Sequence, residues 1–121
     1  MNDSETTIEE LKQAVAAFSA EREWQPFHSL KNLTMSISIE SGELMEHFQW
    51  SDGSDADDLM NDTRKRIAVE EELADVVIYA LQFANRAEID LAEAIGRKMA
   101  INARKYPVDQ SKGRSEKYDS L

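Results

Sequence analysis

Apolar residues recur at helical spacing along most of the chain. Over residues 8–23 they follow one another at intervals of three and four, which predicts a first amphipathic helix. The stretch from Thr7 to Glu10 has the sequence of a capping box, and Pro26 cannot continue a helical hydrogen-bond ladder. Over residues 30–48 the apolar positions again share one stripe, which predicts a second helix.

The second half of the chain has the same organisation. Residues 51–62 are acidic and rich in turn formers, so we expect a solvated loop. Residues 64–87 are apolar around most of a helical circumference, which indicates a central helix. A fourth helix is predicted between the capping residue Asp90 and Pro107. The tail, 108–121, has few apolar residues to bury. We expect it to become ordered only by contact with a ligand or a partner subunit, or by being swapped onto that subunit.

These elements predict an all-α fold without strands. Short connections favour antiparallel neighbours, so we expect a four-helix bundle. A chain of 121 residues with 41% apolar content lies in the range of one domain, and residues 1–121 are predicted to form a single domain.

Charge and composition narrow the function classes. The chain has 24 acidic and 14 basic residues and a formal net charge of −10, which disfavours nucleic acid and acidic membranes as partners. Cysteine is absent, so any metal site would use carboxylates or histidine. No apolar run reaches the roughly 20 residues of a membrane-spanning helix, and the amino terminus lacks signal-peptide features. We therefore expect a cytoplasmic protein.

Acidic side chains interrupt the apolar surfaces of the two middle helices. Glu40 and Glu43 lie beside the apolar stripe of the second helix, and Glu72, Asp75 and Tyr79 form one narrow polar stripe on the third. Burial of several ionised carboxylates together is costly unless a cation neutralises them. If the two stripes face each other, the pattern predicts a cation site.

Oxygen ligands alone favour Mg²⁺, with Mn²⁺ as a second candidate, because a zinc site would more often include histidine. The alternative is that the acids form a solvated face or pair with Arg64, Lys65 or Arg86. Both interpretations remain open at this point.

The motifs Glu40-Ser-Gly-Glu43 and Glu72-Leu-Ala-Asp75 resemble the signature of the all-alpha nucleoside triphosphate pyrophosphohydrolases, the MazG-like superfamily. The resemblance covers most of residues 8–118. Within the superfamily, the sequence is similar in detail to the dCTP pyrophosphatase branch. The segments that carry this similarity are EREWQPFHSLKNL, ESGELMEHFQW, EELADVVIYAL and KMAINARKYPV.

The resemblance implies a fold of the same all-alpha type, assembled through helix packing into a dimer or a dimer of dimers. It implies roles for three groups of residues. The magnesium ligands would be Glu40, Glu43, Glu72 and Asp75. The base and sugar contacts would be Trp24, His28, Trp50 and Tyr79. The phosphate-side residues on the last helix would be Lys98, Asn102, Lys105 and Tyr106.

The implied reaction is Mg²⁺-dependent cleavage of a nucleoside triphosphate, such as dCTP or a modified dCTP, to the monophosphate and pyrophosphate, in sanitation of the nucleotide pool. Glu43 is our candidate for the general base, ahead of Glu71 and Glu46. Val15 departs from the family pattern, because some relatives carry a histidine near this position, which weakens the implied preference for cytosine. His47, beside the glutamates, is expected to support or pack against them.

Each of these residues also has a packing interpretation, and two other functions compete. Ferritin-like di-iron proteins gather carboxylates from facing helices, but they use Glu-x-x-His pairs, and neither His28 nor His47 has a glutamate three residues earlier. The alternative function is a non-catalytic helical oligomer that binds a nucleotide or a divalent metal.

Overall fold

The computed structural model describes residues 1–117 and 119, and its described part is all-helical. The chain divides into two compact units, Met1–Glu88 and Ile89–Leu121. The helices are α1 (Ile8–Glu21), α2 (Leu30–Glu46), α3 (Gly53–Ala56), α4 (Thr63–Arg86), α5 (Leu91–Lys105) and α6 (Val108–Ser111), with 3₁₀ turns at Gln25–Phe27 and Asp57–Asn61. The four long helices predicted from the sequence are confirmed as helices. Among the described residues, none of these helices combines the length and the apolar character that crossing a membrane requires.

Local sequence signals set the ends of α1. The predicted capping box is present, because the Thr7 side chain accepts from the Glu10 backbone N–H while the Glu10 side chain accepts from the Thr7 backbone N–H. At the other end, Glu23 takes a left-handed conformation with φ of 55°. The Trp24 backbone N–H then donates to the Ser19 carbonyl at 3.0 Å. This reversal ends α1 before Pro26 and turns Trp24 back toward the helix.

In the first unit, α4 packs against both α1 and α2. The core includes Leu33 of α2 and three residues of α4, Val69, Leu81 and Ala84, all of them buried. Polar bonds add to this packing: the Asn85 side chain donates to the Lys12 carbonyl of α1 at 2.9 Å. The prediction that this helix is central is confirmed within the first unit.

The apolar surface of α2 and α4 is only partly covered within one chain. Met35 and Ile39 of α2 are more than half exposed, and Leu73 and Val77 of α4 are 51% and 45% exposed. The apolar residues that the sequence places around most of α4 are therefore not all covered within a single copy of the chain.

Residues 51–62 are more ordered than predicted. The sequence pattern indicates a loop, but the Asp52 side chain accepts from the backbone N–H groups of Ser54 and Asp55 at 3.0 Å and starts the short helix α3. The expectation of a loop is wrong for this stretch, since aspartate caps a helical turn as readily as it favours a loop.

The second unit contains α5 and α6. Asp90 caps α5 by accepting from the Glu93 backbone N–H, and the helix ends at Lys105, before Pro107, as predicted. The tail then forms the helical turn α6, which its composition does not predict. The part of the predicted tail made up of Tyr118, Ser120 and Leu121 lies outside the described residues.

Candidate active site

The two middle helices bring three glutamates together. Glu40 and Glu43 lie one turn apart on α2, Glu72 lies on α4, and one carboxylate oxygen of each is within 4.8 Å of the others. Oε2 of Glu40 and Oε2 of Glu72 are buried, and no described residue gives either atom a hydrogen bond. We call Glu40, Glu43 and Glu72 the acidic cluster. Three of the four predicted metal ligands thus meet across the α2–α4 contact.

The close packing of these acids changes their protonation. Burial, reinforced by the neighbouring carboxyl of Glu43, raises the pKa of Glu40 to about 7. Burial also raises the pKa of Glu72, and the charges of Glu43 and Asp75 add to that effect. In the absence of a cation, the acidic cluster therefore retains a proton at a pH at which an ordinary carboxylic acid has lost it.

Asp75, the fourth predicted ligand, lies one turn after Glu72 on α4. It is near enough for its charge to raise the pKa of both Glu40 and Glu72. Asp75 also lines the large cavity described below. It is thus the residue that joins the acidic cluster to that cavity.

The alternative in which basic residues neutralise these acids has no support among the described ion pairs. Arg86 donates instead to the Gln25 carbonyl at 3.3 Å. Arg66 pairs with the exposed Glu70 at 3.1 Å, one turn along the same helix. Among the described ion pairs within residues 1–88, none involves the acidic cluster.

A cavity of about 390 Å³ opens between α1 and α4. Its walls combine aromatic, aliphatic and polar side chains, which suits a flat ring with polar edges. The lining residues are Ala14, Val15, Phe18, Ser19, Trp24, His28, Asp75, Ile78, Tyr79 and Gln82.

Aromatic rings follow one another along one wall of the cavity. Trp24 contacts Phe18 edge to face at a centroid distance of 5.8 Å and His28 at 6.2 Å. His28 in turn contacts Tyr79 of α4 at 6.4 Å. The Arg22 guanidinium carbon lies over the Phe18 ring, 3.6 Å from its centroid. Three of the four predicted base and sugar residues, Trp24, His28 and Tyr79, are therefore neighbours at this cavity.

Other predicted site residues are not brought to this place within the first unit. Trp50 lies after α2, is 90% exposed and does not line the cavity. His47 is half-buried at the carboxyl end of α2. The predicted phosphate-side residues Lys98, Asn102, Lys105 and Tyr106 belong to the second unit, on α5 and at its end.

Gln82 and Ser19 line the cavity but were not among the residues that the sequence singled out. A signal for Gln82 exists: it lies three residues after Tyr79 and extends the stripe of Glu72, Asp75 and Tyr79 by one turn. Ser19 carries no comparable signal, because a serine near the end of an amphipathic helix is ordinary.

The acidic cluster fits a divalent cation. Its donors are oxygens only, two of them are buried without a partner, and a third carboxylate, of Glu43, is open to solvent. Hard divalent ions such as Mg²⁺ and Mn²⁺ favour this donor set.

The raised pKa values predict how the metal-free protein responds to pH. A folded-state pKa above the ordinary value means that the folded chain keeps a proton that the unfolded chain has released. The stabilising contribution of Glu40 is therefore full below about pH 4.5 and lost as the pH rises to about 7. In EDTA, the melting temperature should fall as the pH rises from about 4.5 to about 7.

Variants separate this effect from the general charge of the protein. Glu40→Gln should flatten the dependence of melting temperature on pH, because the amide does not titrate. Glu70→Gln, which changes an exposed acid of α4, should keep the wild-type slope. Equal slopes in the wild type and in Glu40→Gln would contradict a buried, proton-holding cluster.

Comparisons with known proteins identify the family and relatives of this chain. A sequence profile of the MazG-like family matches residues 35–121. The chain is 41% identical to dCTP pyrophosphatase 1 of Bos taurus over 118 residues, which cover 98% of this chain and 70% of the relative. It is 40% identical to dCTP pyrophosphatase 1 of Homo sapiens, with 97% and 69% covered. A crystal structure of a pyrophosphatase from Archaeoglobus fulgidus is similar with a TM-score of 0.78 at 44% identity, covering 88% of this chain and 98% of that one.

Proposed function

The chain belongs to the MazG-like family, and we propose that it is a cytoplasmic enzyme that hydrolyses dCTP or a modified dCTP to the monophosphate and pyrophosphate. Its activity class follows from relatives about 40% identical over nearly the whole chain, so it is a nucleoside triphosphate pyrophosphohydrolase. The observation that carries the proposal is the double position of Asp75, which lines the cavity and acts electrostatically on the acidic cluster.

The two parts of the site suit the two ends of the substrate. The aromatic cavity offers Trp24 and His28 to a flat base, with Tyr79 beside the base or the sugar. Stacking of a base on an aromatic side chain contributes about 1–3 kcal/mol. Asp75 joins this cavity to the acidic cluster, and the triphosphate would leave the cavity on this side.

Members of this family generally use a divalent metal, and we propose Mg²⁺ here, with Mn²⁺ as a substitute. Glu40, Glu43 and Glu72 would hold it together with Asp75. When bound, the metal would offset the charge of the triphosphate and lower the pKa of a water molecule.

The residues of the chain itself have distinct tasks in this proposal. Glu43 is the exposed member of the acidic cluster and is our candidate for taking the proton of the attacking water. Trp24 and His28 hold the base, so that the α-phosphorus is fixed relative to the acids. The phosphate-side residues on α5 and at its end would stabilise the departing pyrophosphate, namely Lys98, Asn102, Lys105 and Tyr106.

We also propose that the bundle of four helices is completed and assembled by helix packing between subunits, into a dimer or a dimer of dimers. Support comes from the exposed apolar residues of α2 and α4, since an exposed apolar surface of this kind favours association. A neighbouring subunit would also offer a route for Trp50 to reach a base.

The direct test is incubation with dCTP and Mg²⁺, followed by chromatography of the products. The proposal expects dCMP and pyrophosphate in equal amounts, and no product in EDTA. Release of orthophosphate would place the cleaved bond elsewhere. Absence of product with all common and modified triphosphates would favour a non-catalytic protein that only binds nucleotide or metal.

A further inference from the structure

The Gln82 side chain is a buried polar group on the wall of the cavity. It is 8% exposed, although it lies on α4 between apolar neighbours. Its Nε2 donates to the Val15 carbonyl of α1 at 3.0 Å and to Ser19 Oγ at 2.6 Å. Both hydrogens of the amide nitrogen are thus used to join α4 to α1.

These two bonds fix which way the amide points. The Val15 carbonyl can only accept, so a rotated amide would place Gln82 Oε1 against another acceptor about 3.0 Å away. The carbonyl oxygen of Gln82 is therefore the end of the amide that α1 does not engage. No hydrogen bond from a described residue to this oxygen is found.

We propose that Gln82 Oε1 selects the base by accepting a hydrogen bond from the exocyclic amine of cytosine. The inference rests on the proposed function, because it assumes that the cavity receives the base of a pyrimidine nucleotide. Uracil and thymine carry a carbonyl at the same ring position. For them, two acceptors would face each other, and the amide oxygen of Gln82 would lose its partner, which is the kind of mismatch that enzymes reject strongly.

The other polar residues of the cavity are less able to make this distinction. The Tyr79 hydroxyl and the His28 imidazole can each donate or accept, so they adapt to either base. The Trp24 indole only donates, and Asp75 belongs electrostatically with the acidic cluster. Gln82 also lines a smaller cavity of about 180 Å³. Among the lining residues away from the acidic cluster, it is the one whose amide orientation is fixed by two hydrogen bonds to α1.

Ser19 holds the Gln82 amide in place, so in this proposal it is a positioning residue. Its side chain is 3% exposed and takes one of the two Nε2 hydrogens. Removal of its hydroxyl would leave the Val15 bond in place and loosen the amide. We therefore expect Ser19→Ala to weaken selection less than the loss of Gln82 does.

The test compares kcat/KM for dCTP and dUTP in the full chain with Mg²⁺. Gln82→Met keeps the length of the side chain and removes the acceptor. It should lower kcat/KM for dCTP about 10- to 100-fold, while the value for dUTP stays within about threefold of wild type. Ser19→Ala should lower the ratio of kcat/KM for dCTP to kcat/KM for dUTP by a few-fold. If Gln82→Met does not fold, Ser19→Ala is the variant that tests the inference.

Asn85→Leu is the matched control. Asn85 also donates from α4 to a carbonyl of α1, at 2.9 Å, but it does not line the cavity. Its replacement should lower the melting temperature and leave the dCTP-to-dUTP ratio unchanged. Equal losses for both nucleotides in Gln82→Met, or a wild type that does not distinguish them, would overturn the inference and leave the proposed hydrolase intact.

A wild type that cleaves no triphosphate would instead refute the proposed function. The role of Gln82 can then be tested by equilibrium binding of dCMP and dUMP. Binding is measured from the change in tryptophan fluorescence, since Trp24 lines the cavity. Tighter binding of dCMP that is lost in Gln82→Met supports the inference. Equal binding of the two nucleotides overturns it.

Discussion

Replacement of Glu72 by glutamine is expected to lower kcat/KM for dCTP by about 10³-fold or more and to raise the melting temperature of the metal-free protein. Both effects have one cause. The Glu72 carboxylate is held near Glu40 and Glu43 with a buried, unpartnered oxygen, which costs stability until a cation arrives. A metal ion supplies several kcal/mol of charge stabilisation, and each 1.36 kcal/mol lost is about tenfold in rate.

The neutral amide in Glu72→Gln cannot supply the negative charge that binds the metal ion. It also repels the carboxylates of Glu40 and Glu43 less than the Glu72 carboxylate does. Addition of Mg²⁺ should raise the melting temperature of the wild type and change that of the variant much less. Glu70→Gln is the control on the same helix, and it should behave as the wild type in both measurements apart from its surface ion pair with Arg66. A Glu72→Gln protein with near-normal activity would remove Glu72 from the metal site.

Replacement of Trp24 by alanine should raise KM for dCTP by about 5- to 150-fold, which is the stacking contribution of about 1–3 kcal/mol expressed as affinity. The indole lines the cavity and contacts both Phe18 and His28. The acidic cluster is unchanged in this variant, so kcat should fall much less than kcat/KM. Steady-state kinetics of pyrophosphate release measures both quantities.

Phe27→Ala is the matched control for Trp24→Ala. Phe27 is an aromatic residue of the same connection, is 67% exposed and does not line the cavity. Its replacement should leave KM within about twofold of wild type. An equal rise of KM in both variants would mean that the loss reflects disturbance of the connection between α1 and α2, not contact with the base.

The helices could be predicted from the sequence because their signals are local. The capping box at Thr7 and the prolines at positions 26 and 107 act within a few residues of themselves, and the predicted ends are correct to within a few positions. The stretch after Asp52 shows the limit of such signals. The same aspartates that favour a solvated loop also cap α3.

The acidic cluster was predictable for a different reason. Carboxylates beside an apolar stripe are costly to bury, so their positions at Glu40 and Glu72 indicate a compensating ion before any contact is known. The Gln82 contact was not predictable in this way. It depends on the distance between α4 and the backbone of α1 at Val15, which arises only when the two helices pack.

The exposed position of Trp50 could not be predicted either. The sequence around Trp50 resembles that of a base-binding residue in the family. In one copy of the chain, however, Trp50 lies beyond the end of α2 and is 90% exposed. Its part in the site stays a prediction, which Trp50→Ala kinetics can decide together with the oligomeric state.

The most direct test of the metal site is a crystal grown with Mn²⁺ and measured at a wavelength at which manganese scatters anomalously. We predict an anomalous peak between Glu40, Glu43 and Glu72, with carboxylate oxygens as ligands, and no such peak in Glu72→Gln crystals. Carboxylates turned apart into solvent, with no peak between α2 and α4 in the wild type, would contradict it.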